Sequence, residues 1–260
     1  MKPSTLLLAL LLCLNFSSLS SFAKDEHSAH HEASAESAPA VETKKEPKAE
    51  HKEEHKEEHK REAGPISAEK SLSMLKNGNT RFTKGHLRRD GATKADRERL
   101  SKGQKPHAIV LSCSDSRVPP EVVFDQKLGE IFVVRTAGQS IDFSAIASIE
   151  YAVSHLGSNL IIVMGHESCG AVKAALATLK GGDAGSASLN KLVGDLHPHL
   201  KRFSELSQTD GVLVESWANV EGVTNDLLGR SEIVRRLVES GEVTIQKGLY
   251  HLGSGQVEWR

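Results

Sequence analysis

Two cysteines and one histidine in this 260-residue chain have the residue types and spacing of a metal site. Cys113 follows the apolar run HAIVLS at 107–112, and His166 and Cys169 follow a second run, NLIIVMG at 159–165. Two thiolates and one imidazole make a catalytic zinc set if the fourth position is left to water or a labile ligand. Either cysteine alone would more often be an inert buried thiol, and His166 a core histidine. Together, at two equivalent strand ends, they read as ligands. In an exported protein the same two cysteines have a disulfide as their alternative, and bound zinc would protect both thiolates from it. Asp115 and Arg117 alternate with Cys113 in C-S-D-S-R, so a turn brings both near the metal. The carboxylate has two options, ligating zinc or accepting a hydrogen bond from zinc-bound water, and Arg117 offers it a two-pronged partner. Water activated on zinc is a nucleophile suited to a small electrophilic carbon.

Positioning such a set needs strands that end side by side. The runs at 107–112, 130–135 and 159–165 read as buried strands, with a helix over 141–157 that Gly157 can end. A helix starts near Ser67 and is expected to stop at Asn77-Gly78. Helical structure over 188–206 is expected to break near Pro198. GVLVES at 211–216 reads as a further strand, a long helical region extends to about Ser240, and an edge strand follows near Tyr250. Strands alternating with helices predict an α/β fold, a mainly parallel central sheet flanked by helices. Polar motifs directly after strands lie where sites gather in such sheets. Neither CSDSR nor GHESCG has the glycine spacing of a nucleotide-binding turn.

The rest of the chain divides by composition. Residues 1–23 carry a basic start, an apolar core from Leu6 to Leu14 and small residues before Lys24, as in a secretory signal peptide cleaved after Ala23. The run is shorter than the roughly 20 apolar residues of a membrane span, and Leu12 before Cys13 does not suit a lipid-attachment signal. A periplasmic or secreted product without a membrane anchor is expected. Residues 24–64 hold 8 basic and 12 acidic side chains and six of the chain's 13 histidines. With almost no large apolar side chain, this tail cannot offset the entropy of ordering. A solvated tether, a weak divalent-metal reservoir and a pH-sensitive surface remain open for it. Residues 65–260 hold 24 basic against 22 acidic residues, so nothing points to nucleic acid.

CSDSRVPPEVVFDQKLGEIFVVRTAG followed by GHESCGA resembles the β-class carbonic anhydrases, over roughly residues 66–260. The resemblance implies one zinc per subunit, held by Cys113, His166 and Cys169, and reversible hydration of carbon dioxide to bicarbonate by zinc-bound hydroxide. It places the catalytic pair on Asp115 and Arg117. Gln104 matches a residue that hydrogen-bonds bicarbonate, and Phe132 and Tyr151 match residues that narrow the apolar pocket, partly across a subunit boundary. A homodimer, or a tetramer built of dimers, is the implied assembly. Two departures stand out: R-T-A-G-Q at 135–139 where the family commonly reads RNAGN, and Val110 where one subgroup carries a tryptophan for an inhibitory bicarbonate site. The second implies no such switch here. His107 and His155 have no assigned place in proton transfer. Hydrolysis of another linear electrophile such as carbon disulfide, and zinc buffering by the histidine tail, are the competing functions.

Overall fold

The structure, a computed structural model, describes residues 64–260. The expected signal peptide and all but the end of the histidine-rich tail lie outside the described residues. Among the described residues five strands form one sheet: β1 (Ala108–Cys113), β2 (Ile131–Thr136), β3 (Leu160–His166), β4 (Thr244–Tyr250) and β5 (Val257–Trp259), in the order β2-β1-β3-β4-β5. The first four are parallel and β5 is antiparallel to β4. The helices are α1 (Ala68–Thr83), α2 (Lys94–Leu100), the short α3 (Pro120–Val123), α4 (Phe143–Ser154), α5 (Gly170–Thr178), α6 (Ala187–Leu200), α7 (Leu213–Arg230) and α8 (Glu232–Glu239). The expected α/β architecture is the observed one, and the strands predicted at 107–112, 130–135 and 159–165 each start and end within a residue of their places.

Alternation along the strands sorts the core into two layers, because successive side chains leave opposite faces. Ile109, Leu111, Ile161 and Val163 pack against α4, α7 and α8, whereas Ala108, Val110, Ile162 and Met164 pack against α1 and α3. A third cluster forms beyond the carboxyl ends of β1 and β3, where Cys113 and Cys169 join side chains of α5, α6 and α7. The site therefore rests on a packed base rather than on loops alone.

Local expectations that differ do so for tertiary reasons. Ser67 caps α1 as expected, accepting from Lys70 N at 3.3 Å, but the helix continues through Asn77-Gly78 to Thr83. Gly78 is a contact rather than a stop: a Cβ there would lie 1.8 Å from the Phe124 carbonyl oxygen. Asn79 beside it donates to Val123 O at 3.1 Å and Gly255 O at 2.8 Å. Residues 211–216 form no strand. Gly211 and Val212 have φ of 59° and 47°, which ends any extended run. Buried Glu215 then accepts from Thr209 N at 2.9 Å at the start of α7. Helix α6 runs through Pro198 and ends two residues beyond it, at Leu200, so the proline removes one bond near the carboxyl end rather than dividing the helix. Tyr250 lies inside the sheet, paired with His166 and Val257, and β5 forms that edge.

Candidate metal centre

Strand pairing assembles the centre. Cys113 is the last residue of β1 and His166 the last of β3, and these strands are neighbours in parallel register, Ser112 opposite Met164. A three-residue step through Ser168, whose φ of 57° is left-handed, returns the chain so that Cys169 caps the amino end of α5. The two sulfurs and a ring nitrogen of His166 lie within 4.8 Å of one another, all three residues buried. Among the described residues no other group of His, Cys, Asp or Glu was found to converge in this way.

The chemistry of these donors fits zinc. The His166 ring donates from Nδ1 to the Glu167 carbonyl at 2.8 Å, which leaves Nε2 as the lone-pair nitrogen. Nε2 is buried and has no hydrogen-bond partner, an arrangement that costs free energy unless a Lewis acid or donor faces it. The two cysteines are free thiols rather than a disulfide. A hydrogen bond from Cys169 pulls the Cys113 thiol well below its ordinary pKa, with further help from His166 and the Gly138 N–H. The same contact, together with burial, pushes Cys169 up. Two sulfurs and an imidazole nitrogen are the softer ligand set that zinc takes in closed or three-ligand sites.

Asp115 stands beside this set, its Oδ2 3.8 Å from His166 Nε2. Arg117 grips it from two sides: Nε donates to Oδ1 at 2.9 Å, Nη2 to Oδ2 at 2.7 Å, and the Arg117 backbone N–H to Oδ1 at 3.0 Å. These bonds hold the Asp115 carboxyl far below the usual carboxylate range, chiefly through the Arg117 side chain and against some desolvation. It is an ionised acceptor at the rim of the cluster, while Arg117 stays 55% exposed.

One residue of this constellation has a role that a reading of motifs does not give. Arg135 sits next to the end of β1, opposite Ser112, and donates from Nε to Cys113 O at 3.1 Å and from Nη2 to Asp115 O at 2.8 Å. It clamps the C-S-D turn through backbone carbonyls. The divergent stretch after it is locally closed: Thr136 Oγ1 donates to Ser140 O at 2.5 Å, Gly138 N–H donates to Cys113 Sγ at 3.3 Å, and Gln139 is buried with a φ of 45°. The sequence marks Arg135 as the basic residue that opens R-T-A-G-Q, with no signal for its targets.

Gln104, Phe132 and Tyr151 are not brought to the metal ligands of their own chain. Gln104 precedes β1 at the other end of the strand and lines a cavity of about 690 Å³ with Arg99, Leu128 and Glu130. Phe132 pairs with Ile109, four positions back from the Cys113–Thr136 pair, or about 13 Å at a strand's rise per residue. It packs on Tyr151 with ring centroids 6.4 Å apart, and Tyr151 is 48% exposed. His107 is buried at that same far end, its ring between Ser71 Oγ at 2.6 Å and Gln126 Oε1 at 2.9 Å. Burial lowers its pKa. His155 stacks near Tyr151, centroids 5.3 Å apart.

The chain is similar to known proteins over most of its described length. A family model described as "Carbonic anhydrase" matches residues 108–257. A carbonic anhydrase of Mycolicibacterium smegmatis is 40% identical over 200 residues, covering 76% of this chain and 94% of the relative. Among solved structures, the β-carbonic anhydrase CcaA superposes with a TM-score of 0.58 at 27% identity, covering 72% of this chain and 94% of its own. Two β-carbonic anhydrases of Sordaria macrospora, described as tetrameric, share the fold with a TM-score of 0.57 at 22% identity, covering 74% of this chain and 97% of theirs.

Proposed function

The chain belongs to the β-carbonic anhydrase family, and from that premise we propose the division of labour among its residues. The protein is a zinc-dependent carbonate dehydratase, a lyase that reversibly hydrates carbon dioxide to bicarbonate and a proton. The observation that carries the assignment of ligands is the buried, partnerless His166 Nε2 facing two sulfurs. Cys113, His166 and Cys169 would hold the ion, one per subunit. When bound, zinc supplies a Lewis acid that makes water nucleophilic near neutral pH.

The chain's own groups do the rest. Asp115 orients the nucleophile by accepting its hydrogen bond, and its ionised state lets it do so at every physiological pH. Arg117 keeps that carboxylate occupied and ionised. Fully buried Val110 is packed in the layer beneath α1 and α3, with no tryptophan there to shape an inhibitory site.

The pocket residues fit one site only if two copies share it. Because Gln104, Phe132 and Tyr151 sit at the far end of the strands from their own ligands, we assign them to the metal centre of a second subunit in a homodimer. Mixing two inactive variants tests this. Cys113→Ala lacks a metal ligand and Gln104→Ala lacks the bicarbonate contact. In a shared-site dimer, each heterodimer regains one intact site and the mixture recovers activity. If each subunit completes its own site, no activity returns.

Residues 65–260 are assigned as the catalytic domain, 1–23 as a signal peptide and 24–64 as a solvated tail, with export to the periplasm or beyond. The support is compositional: a short apolar run behind a basic start, then a tail too polar to pack. Sequencing the amino terminus of the mature protein tests it; a start at Lys24 is expected, and an intact Met1 would refute export by this signal.

A further inference from the structure

His199 lies flat against α7 over a glycine. A Cβ on Gly222 would stand 2.2 Å from the His199 ring, so only glycine admits the ring there. Asn219, Gly222 and Asp226 are spaced three and four apart and share one face of α7. The ring spans that face: Nδ1 is 2.9 Å from Asn219 Oδ1 and Nε2 is 3.0 Å from Asp226 Oδ2. Asn219 Oδ1 and the Asp226 carboxylate are the two groups that meet the ring nitrogens. Asn219 is fully buried, and its Nδ2 donates to Gly138 O at 2.8 Å. That bond fixes which end of the amide faces His199. Gly138 in turn has a φ of 64° and donates its N–H to Cys113 Sγ at 3.3 Å.

We propose that Asn219, oriented by His199, is a positioning residue for the metal centre: it pins the left-handed turn at Gly138 so that the Gly138 N–H is held on the Cys113 sulfur. The inference rests on Cys113 being a zinc ligand. A hydrogen bond to a ligating thiolate tunes its charge and fixes its direction, and groups one step out from the metal commonly carry 10–100-fold of its affinity. The chain of contacts is continuous from the half-exposed Asp226 carboxylate to the buried sulfur. It explains a helical glycine and a buried histidine–amide pair that the hydration chemistry does not use.

The test reads the metal bond itself, in full-length protein loaded with zinc or with cobalt(II) as a spectroscopic substitute. Asn219→Asp keeps the volume and the acceptor for His199 but removes the donor to Gly138 O. It is expected to release zinc to a chromophoric chelator roughly 10–100-fold faster and to shift the sulfur-to-cobalt charge-transfer band. Gly222→Ala displaces the ring from the far end of the chain, and a smaller shift in the same direction is expected. It also serves if the Asn219 variant does not fold. Asn79→Ala removes another buried amide that binds backbone carbonyls, those of Val123 and Gly255; lower thermal stability with unchanged zinc release and band is expected. Wild-type release and band in folded Asn219→Asp or Gly222→Ala would overturn the proposal, as would an equal change in Asn79→Ala. Absence of the sulfur-to-cobalt band in the wild-type protein would instead overturn the ligand assignment beneath it.

Discussion

Replacing Gly138 by alanine tests how tightly the loop beside Cys113 is built. Gly138 has a φ of 64°, and a Cβ would lie 2.9 Å from Leu196 Cδ1 and 3.0 Å from Ala171 Cβ. A side chain in the left-handed region costs about 1–2 kcal/mol. Crowding a packed site adds about 1–3 kcal/mol, and Leu196 is fully buried while Ala171 has no rotamer to yield. The stiffer unfolded chain returns about 0.4–1 kcal/mol. The net expectation is a loss of about 3 kcal/mol. For a domain of this size that lowers the melting temperature by about 6–12 °C. The displaced N–H also weakens the hold on Cys113, so the stabilisation conferred by zinc should shrink as well. Thermal unfolding with zinc and with a chelator measures both effects. Gly229→Ala is the control: its backbone is helical and nothing lies within 4 Å of the added Cβ, so it should gain up to about 1 kcal/mol. A Gly138→Ala protein melting within about 2 °C of wild type, or Gly229→Ala falling equally, would refute the reasoning.

Further outcomes follow from the same geometry. Asp115→Asn keeps shape but presents a donor to the Arg117 guanidinium or to its backbone N–H. Zinc content should be unchanged while hydration falls roughly 10²–10⁴-fold; stopped-flow hydration of the zinc-loaded variant checks it. Burial opposes ionisation of Asp125, but bonds from Arg81, Lys127 and the Arg88 N–H outweigh it and hold its pKa below the ordinary value. Its contribution is therefore full above about pH 4 and is lost as pH falls through the lowered folded value. Asp125→Asn should cost about 3 kcal/mol at neutral pH, a gap to wild type that narrows in acid, as denaturant titrations from pH 7 to pH 3 would show. Deleting residues 24–64 should leave hydration unchanged per zinc bound; loss of activity in zinc-loaded truncated protein would make the tail part of the catalytic unit.

Much of this was legible in the sequence because metal chemistry demands particular side chains. Cys113, His166, Cys169, Asp115 and Arg117 declare themselves by type and by position after apolar strands, and the parallel sheet supplies their convergence. The residues that hold the site work differently. Arg135 and Asn219 act on backbone carbonyls, and a carbonyl leaves no mark in the sequence of what binds it. Glycines misled for a related reason. Asn77-Gly78 has the composition of a helix stop, yet Gly78 is there because α1 crosses the Phe124 carbonyl. GVLVES is a short apolar, β-branched run, over too few residues to separate a strand from a helix start, and the left-handed pair at Gly211 and Val212 decided it. Family resemblance alone suggests Gln104, Phe132 and Tyr151 as pocket residues, since one chain keeps them away from its own metal ligands.

The central claim is that three buried donors bind one zinc and that this zinc is required for hydration. Metal analysis and carbon dioxide hydration, measured on the same preparations of wild type and Cys169→Ala, test it most directly. The account predicts about one zinc per chain with activity in the wild type, as expected of a three-ligand catalytic site, and neither zinc nor turnover in folded Cys169→Ala. Undiminished hydration in Cys169→Ala, or an inactive wild type fully loaded with zinc, would contradict it.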